Sequence, residues 1–283
     1  MILARAALLT VVTATTFVFA GASGRTQQSP TSGVVAWTTV RPGLEEGSFR
    51  LSAPGEGRWT KVILLHIDPE RYRLRLDARL STDLSSAAWT VDSAPSQAVA
   101  AWNAGQFNGI AQWGWTVMNG LELRPPGTGP LSMAVVADTV GVVRLVPPDS
   151  IPAIRAAGGV ATAFQSYPTL LVGNGEIPAQ LTTEGQGVAI GHRDSRLALG
   201  QLGDGSLLVL LTRFDGMGEV GGAIPFGLTL AETARVLRSL GAVRAVALDG
   251  GISAQLLVRG ENGATRAWRA WRKVPVGIVI AAK

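Results

Sequence analysis

Short apolar runs alternate with turn-forming residues along almost the whole chain, the rhythm of a protein built from brief strands. KVILLHI (61–67) and YRLRLDARL (72–80) predict two strands joined by DPER. The second alternates apolar and polar residues, as a half-exposed strand does. LSMAVVADTVGVVRLV (131–146) predicts another strand pair, and SLLVLLTRF (206–214) a buried strand. Asn-Gly pairs at 119–120, 174–175 and 262–263, each among apolar residues, predict tight hairpin turns.

Helical periodicity is rarer. LTLAETARVLRSLGA (228–242) carries Leu228, Leu230, Val236, Leu237 and Leu240 at helical spacing, with Gly241 as a stop. Thr229 and Glu232 have the spacing of a capping box. A shorter helix is expected over PSQAVAAW (95–102), leading into NAGQFNG. Many strands with two or three helices predict an α+β fold, with mixed β-sheets and a few flanking helices, in a single domain over 35–283.

Composition and the N-terminus add four constraints. At 283 residues and 47% apolar, the chain can bury a large core. The N-terminus, with Arg5, an apolar run to Ala20 and the small-residue site Ala20-Gly21-Ala22, has the pattern of a signal peptide over 1–22, followed by a polar linker over 23–34. A secreted or periplasmic location is therefore expected, with membrane attachment only if the leader is retained. The chain has no cysteine, which excludes disulfides, thiol nucleophiles and cysteine metal sites. A net charge of +5 is a mild field, suited to anionic partners but too small to point to nucleic acid.

The catalytic inventory is narrow. The chain has two histidines, of which His66 falls within a strand pattern and His192 lies in the loop AIGHRDSRLALG, making His192 the better substrate-binding candidate. There is no G-x-S-x-G elbow, H-E-x-x-H, P-loop or EF-hand loop. No ligand spacing supports a metal site, and no cofactor is implied. Carboxylates, arginines, amides and backbone remain. Asp249 stands at the end of an apolar run in AVALDGGISAQL, backed by Gly250 and Gly251. Glycines let a ligand approach the backbone closely and expose N–H donors to an anionic oxygen. Arg196, just before LALG, offers a planar donor fork for phosphate or carboxylate. A carboxylate beside it would be held ionised. Asn103 and Gln106 share the loop WNAGQFNG, and Asn103 and Ser253 have the chemistry to hydrogen-bond sugar hydroxyls. Such an inventory suits a polar, phosphorylated glycan.

Taken in order, NAGQF (103–107), RLALG (196–200), FDG (214–216), LAE (230–232) and LDGGIS (248–253) resemble the recurring elements of the phosphodiester glycosidase family, and KVPVGIVI is similar to its last strand. The resemblance spans about 60–281 and departs from the pattern at Ala104, Gln106, Leu197 and Ile252. It implies an exported hydrolase that cleaves a sugar-1-phosphodiester at the anomeric carbon, in cell-envelope glycan or exopolysaccharide, through an oxocarbenium-like transition state with phosphate leaving. It further implies Arg196 at the leaving phosphate and Asp249 at the anomeric carbon or an activated water. Gly250, Gly251 and Ser253 would shape the pocket and Asn103 would orient the substrate. Glu232 reads as a helix cap. The alternative is a non-catalytic envelope module binding anionic glycan through the same cleft; a third reading is action on a bond without phosphate. The cluster RAWRAWRK (266–273) fits either a sugar-stacking, anion-binding platform or a solvated edge. The oligomeric state is left open.

Overall fold

The architecture, a computed structural model, is described for residues 35–51, 59–129, 131–215 and 226–283. The signal-peptide and linker expectations at 1–34 lie outside the described residues, as does Gly216 of the FDG segment. Among the described residues no helix is long and apolar enough to cross a membrane.

Three sheets enclose one core. The first has seven strands in the order 36–41, 44–50, 60–67, 207–214, 197–202, 242–247 and 169–171. The second, of five, runs 143–146, 133–138, 160–166, 116–118, 121–124. The third, also of five, runs 265–268, 256–259, 100–103, 276–282, 72–78. All three contribute inward side chains to a single cluster, among them Leu65, Leu199 and Val209 from the first, Val135 and Phe164 from the second, and Trp102, Leu256 and Ile278 from the third. The opposite face of each sheet is covered too. Val62, Leu64, Leu208 and Leu210 pack with Ala234 and Leu237 of the helix Leu230–Ser239. Trp89 and Val274 pack on Ala101 and Leu257 of the third sheet, and Trp115 and Ile151 on Ala134 and Val136 of the second. Double burial explains why SLLVLLTRF is apolar at consecutive positions: both faces of its strand meet protein.

Several expected elements are present. The helix at 230–239 has its capping box, with Glu232 N–H donating to the Thr229 hydroxyl at 3.2 Å and Thr229 N–H to the Glu232 carboxylate at 3.0 Å. Segment 131–146 forms the antiparallel pair 133–138 and 143–146. The three Asn-Gly pairs sit at hairpin turns, with Asn119 and Asn174 at φ 52° and 53°.

Two expectations need correction. The fold is sheet-dominated rather than a balanced α+β, and every described strand pair is antiparallel, not mixed. Segment 95–102 is not helical: Ala100–Asn103 is a strand between 256–259 and 276–282. Its alanines are buried on both faces, so they carry no period to separate strand from helix. The strands 60–67 and 72–78 also lie in different sheets, although four residues separate them in sequence.

Candidate active site

The strand 242–247 of the first sheet and the strand 100–103 of the third end at the same corner. There the chain turns through Leu248, Asp249, Gly250 and Gly251 into the short helical turn Gly251–Ser253. Backbone bonds fix the corner from two sides. Asp249 N–H donates to Ala104 O at 3.2 Å, Leu248 N–H to Leu197 O at 2.8 Å, and Gly251 N–H to Ser195 O at 2.7 Å. The register that pairs Ala198 with Ala247 therefore carries Arg196 to a position across from Asp249. Both glycines are required by this approach. A Cβ on Gly250 would stand 2.6 Å from Ser195 O, and one on Gly251, at φ +57°, would stand 2.9 Å from the Asp194 carboxylate.

Asp249 brings a carboxyl into the corner. Its Oδ2 is buried without a hydrogen-bond partner among the described residues. Burial pushes its carboxyl above the usual range; the Ser253 hydroxyl and the Arg272 charge oppose that shift, and the Asp194 charge adds to it. The sequence-based expectation of a carboxylate held ionised by an adjacent arginine is thus corrected: desolvation dominates. A carboxyl raised in this way suits a group that must both hold and release a proton.

The other expected residues take different positions. Asn103 is fully buried, and its amide donates to Asp249 O at 2.7 Å and Ala104 O at 3.2 Å while accepting from Gln255 N–H at 3.0 Å. It fixes the backbone of the Asp249 turn. Gln106 clamps Tyr167, donating to its carbonyl at 2.5 Å and accepting from its N–H at 3.1 Å. Ser253 is buried beneath Asp249. Arg196 donates Nε to Leu228 O at 2.7 Å and Nη2 to His192 O at 2.5 Å, leaving Nη1 without a hydrogen-bond partner among the described residues. Burial lowers its pKa, opposed by the charges of Asp194 and Glu232. His192 is exposed, with Nε2 3.5 Å from Asp194 Oδ2. Glu232 caps its helix and forms a two-pronged ion pair with Arg193, both contacts at 2.7 Å. Burial pushes Glu232 up, but the Arg193 fork, the Thr229 N–H and the charges of Arg193 and Arg235 outweigh it and leave the group below its ordinary range.

Three residues were not singled out by sequence. Asp194 lies two positions before Arg196, against Gly251, and its charge reaches both Asp249 and Arg196. Arg213 is buried and binds Ser195 Oγ at 3.0 Å and Ala254 O at 2.6 Å, bracing the corner from beneath; burial pushes its pKa down to about 10. Arg272, within the RAWRAWRK cluster, sits with its guanidinium carbon 4.5 Å from the centre of the Phe107 ring. The position of Asp194 in the segment that carries Arg196 was its one sequence signal. Arg213 sits inside an apolar strand run and gave none.

Two surface hollows, of about 540 and 460 Å³, lie elsewhere, around Glu122 and Arg155 and around Glu45 and His66. In the first, Glu122 is already bound by Arg155 and by Trp115 Nε1. Among the described residues, neither hollow holds a buried carboxylate oxygen left unpaired.

A family model described as phosphodiester glycosidase matches residues 96–281. No curated protein matches the chain. Among solved structures, the catalytic domain of zebrafish N-acetylglucosamine-1-phosphodiester alpha-N-acetylglucosaminidase, auto-inhibited by its pro-peptide, is similar at a TM-score of 0.65 and 18% identity, covering 88% of each chain. A hypothetical protein from Synechocystis is similar at a TM-score of 0.58 and 18% identity, over 89% of this chain and 64% of the other. At such identities the likeness is one of fold.

Proposed function

Because this chain belongs to the phosphodiester glycosidase family, we propose that it is an exported hydrolase that cleaves glycosyl phosphodiesters of cell-envelope glycan or exopolysaccharide at the corner around Asp249. The observation that carries this reading is the unpaired, buried Oδ2 of Asp249 at a point where segments near residues 103, 195 and 250 meet. Asp249 acts at the anomeric carbon, either on the cation that develops there or on the water that attacks it. The sugar C1–O bond breaks, water supplies the new C1 oxygen, and the phosphate departs as a monoester. Phosphate is a good leaving group, so positioning and electrostatics carry more of the barrier than proton donation. Arg196 supports the departing phosphate with positive charge and its unengaged Nη1. Asn103, Gly250, Gly251 and Ser253 hold the turn that presents Asp249, while Gln106 shapes the neighbouring loop. His192 lies at the outer edge with Asp194, the second acid of the corner.

The test is sugar release from an N-acetylglucosamine-1-phosphodiester. Asp249→Asn is expected to lower turnover by about 10³-fold or more and Arg196→Ala by about 10²-fold, magnitudes typical of lost transition-state contacts. Both variants should keep a cooperative thermal transition. Wild-type turnover in both would remove the assignment. Saturable, salt-sensitive glycan binding without product after long incubation would instead favour a non-catalytic envelope module.

A further inference from the structure

Among the described residues Arg213 is the only buried charged residue, at 6% exposure, and it takes part in no ion pair there. It stands near the end of the strand 207–214, whose other residues are apolar apart from Thr212. A guanidinium without an acid partner is costly in such a place, and a side chain such as methionine would fill the space without that cost. Its contacts run to three separate segments. Nη1 donates to the Ser195 hydroxyl at 3.0 Å, and that hydroxyl donates to Thr212 O at 2.7 Å. Nη2 donates to Ala254 O at 2.6 Å and, more weakly, to Trp268 O and Arg269 O, both at 3.3 Å. These segments build the corner. Ser195 lies between Asp194 and Arg196, and its carbonyl accepts from Gly251 N–H. Ala254 closes the turn that begins at Asp249, with its N–H on Gly251 O at 3.3 Å. The 268–269 carbonyls belong to the RAWRAWRK segment, in which Arg266 pairs with Glu46 at 2.6 Å and Arg269 with Asp92 at 2.8 Å. The N–H groups of Trp271 and Arg272 in that segment both donate to Ile252 O at 3.0 Å. Asn103 grips the same turn from the other side, through Asp249 O and Gln255 N–H.

We propose that Arg213 is a positioning residue for the reaction at this corner: its planar fork fixes the spacing between the segment of Arg196 and the turn of Asp249, and its charge is buried for that spacing rather than for stability. The inference rests on the reading that Asp249 and Arg196 act together on one substrate. A guanidinium suits the task because its donors point in set directions within one plane, so acceptors on two different segments are held at a fixed separation. An ammonium gives donors without that plane. The charges that weigh on the Asp249 carboxyl are those of Arg272 and Asp194, so Arg213 works through backbone position rather than through its field. A displacement of about 1 Å is enough to lower turnover by about 10²-fold where reacting groups must be aligned.

The experiment compares wild-type protein with Arg213→Met, Arg213→Lys and Ser195→Ala in two measurements: steady-state hydrolysis of an N-acetylglucosamine-1-phosphodiester, and thermal melts at neutral pH with and without Asp249→Asn. Arg213→Met should lower kcat by about 10²-fold while KM stays within about threefold, and Arg213→Lys should fall between it and wild type. Ser195→Ala should lower kcat about tenfold. Added to Arg213→Met it should cost less than the two separate losses multiplied, since one link joins the two residues. The melts read the corner without turnover. Asp249→Asn is expected to raise the melting temperature while the turn keeps Oδ2 buried; in the Arg213→Met background that rise should shrink, because a displaced turn admits water to the carboxyl. Should Arg213→Met not fold, Arg213→Lys and Ser195→Ala carry the same two readings. Arg213→Met that melts below wild type yet keeps its kcat assigns the side chain to stability alone, which overturns the inference and leaves the hydrolase reading intact. So does an Asp249→Asn rise that is equal in both backgrounds. Wild-type protein that releases no sugar, with the rise still shrinking in Arg213→Met, overturns the hydrolase reading and sustains Arg213 as the residue that sets the corner.

Discussion

At the scale of single residues, the buried carboxyl of Asp249 carries a stability cost. Burial raises its carboxyl in the folded protein above the value it has in the unfolded chain. Between those two values the folded state holds the proton more firmly. Stability therefore falls as pH rises through that window, and above it the buried carboxylate is a net penalty. Asp249→Asn is accordingly expected to raise the unfolding temperature at neutral pH. The gain should shrink as pH drops toward ~4, where an unperturbed carboxyl also binds its proton. Thermal melts of both proteins from about pH 4 to about pH 8 check this; a variant less stable than wild type at neutral pH contradicts it. The acid and its glycines were legible in sequence because an aspartate at a strand end followed by two glycines is chemically conspicuous. The task of Asn103 was not. Its amide chemistry suits sugar hydroxyls equally well, and only the Asp249, Ala104 and Gln255 contacts show that it is engaged with backbone. Arg272 was visible as part of a cluster, but nothing in the spacing separated it from Arg266 and Arg269, whose partners lie about 180–220 residues away in sequence.

At the scale of elements, close approach between neighbours does much of the specifying. The strand 276–282 passes directly over Trp89, so a Cβ at Gly277 would stand 1.9 Å from the indole ring. That ring is fully buried and its Nε1 donates to Asp77 at 2.8 Å, so it has no room to retreat. Gly277→Ala should cost about 3 kcal/mol or more, read as a lower urea midpoint, with loss of activity following because this strand also pairs with Asn103. A cost under about 1 kcal/mol would mean that the indole is free to shift. The helix 230–239 was readable because its cap, its period and its stop agree. Hairpin turns were readable from Asn-Gly. Residues 95–102 were not, since buried alanines satisfy strand and helix alike. Partner strands were also hidden: 60–67 and 72–78 are near neighbours in sequence, yet each pairs with strands more than 130 residues further on.

At the scale of the whole molecule, three antiparallel sheets share one core, and their ends bring segments separated by about 150 residues to the Asp249 corner. Such convergence is a property of topology: side-chain chemistry and family resemblance both pair Arg196 with Asp249, but only the strand register sets them across from each other. The central claim is that this corner breaks a sugar–oxygen bond rather than a phosphorus–oxygen bond. Hydrolysis of a glycosyl phosphodiester in ¹⁸O-enriched water, followed by ³¹P NMR of the released monoester, decides it. The account predicts a phosphate free of ¹⁸O, with the signal absent in Asp249→Asn. Label in the phosphate, or unchanged product from Asp249→Asn, would contradict it.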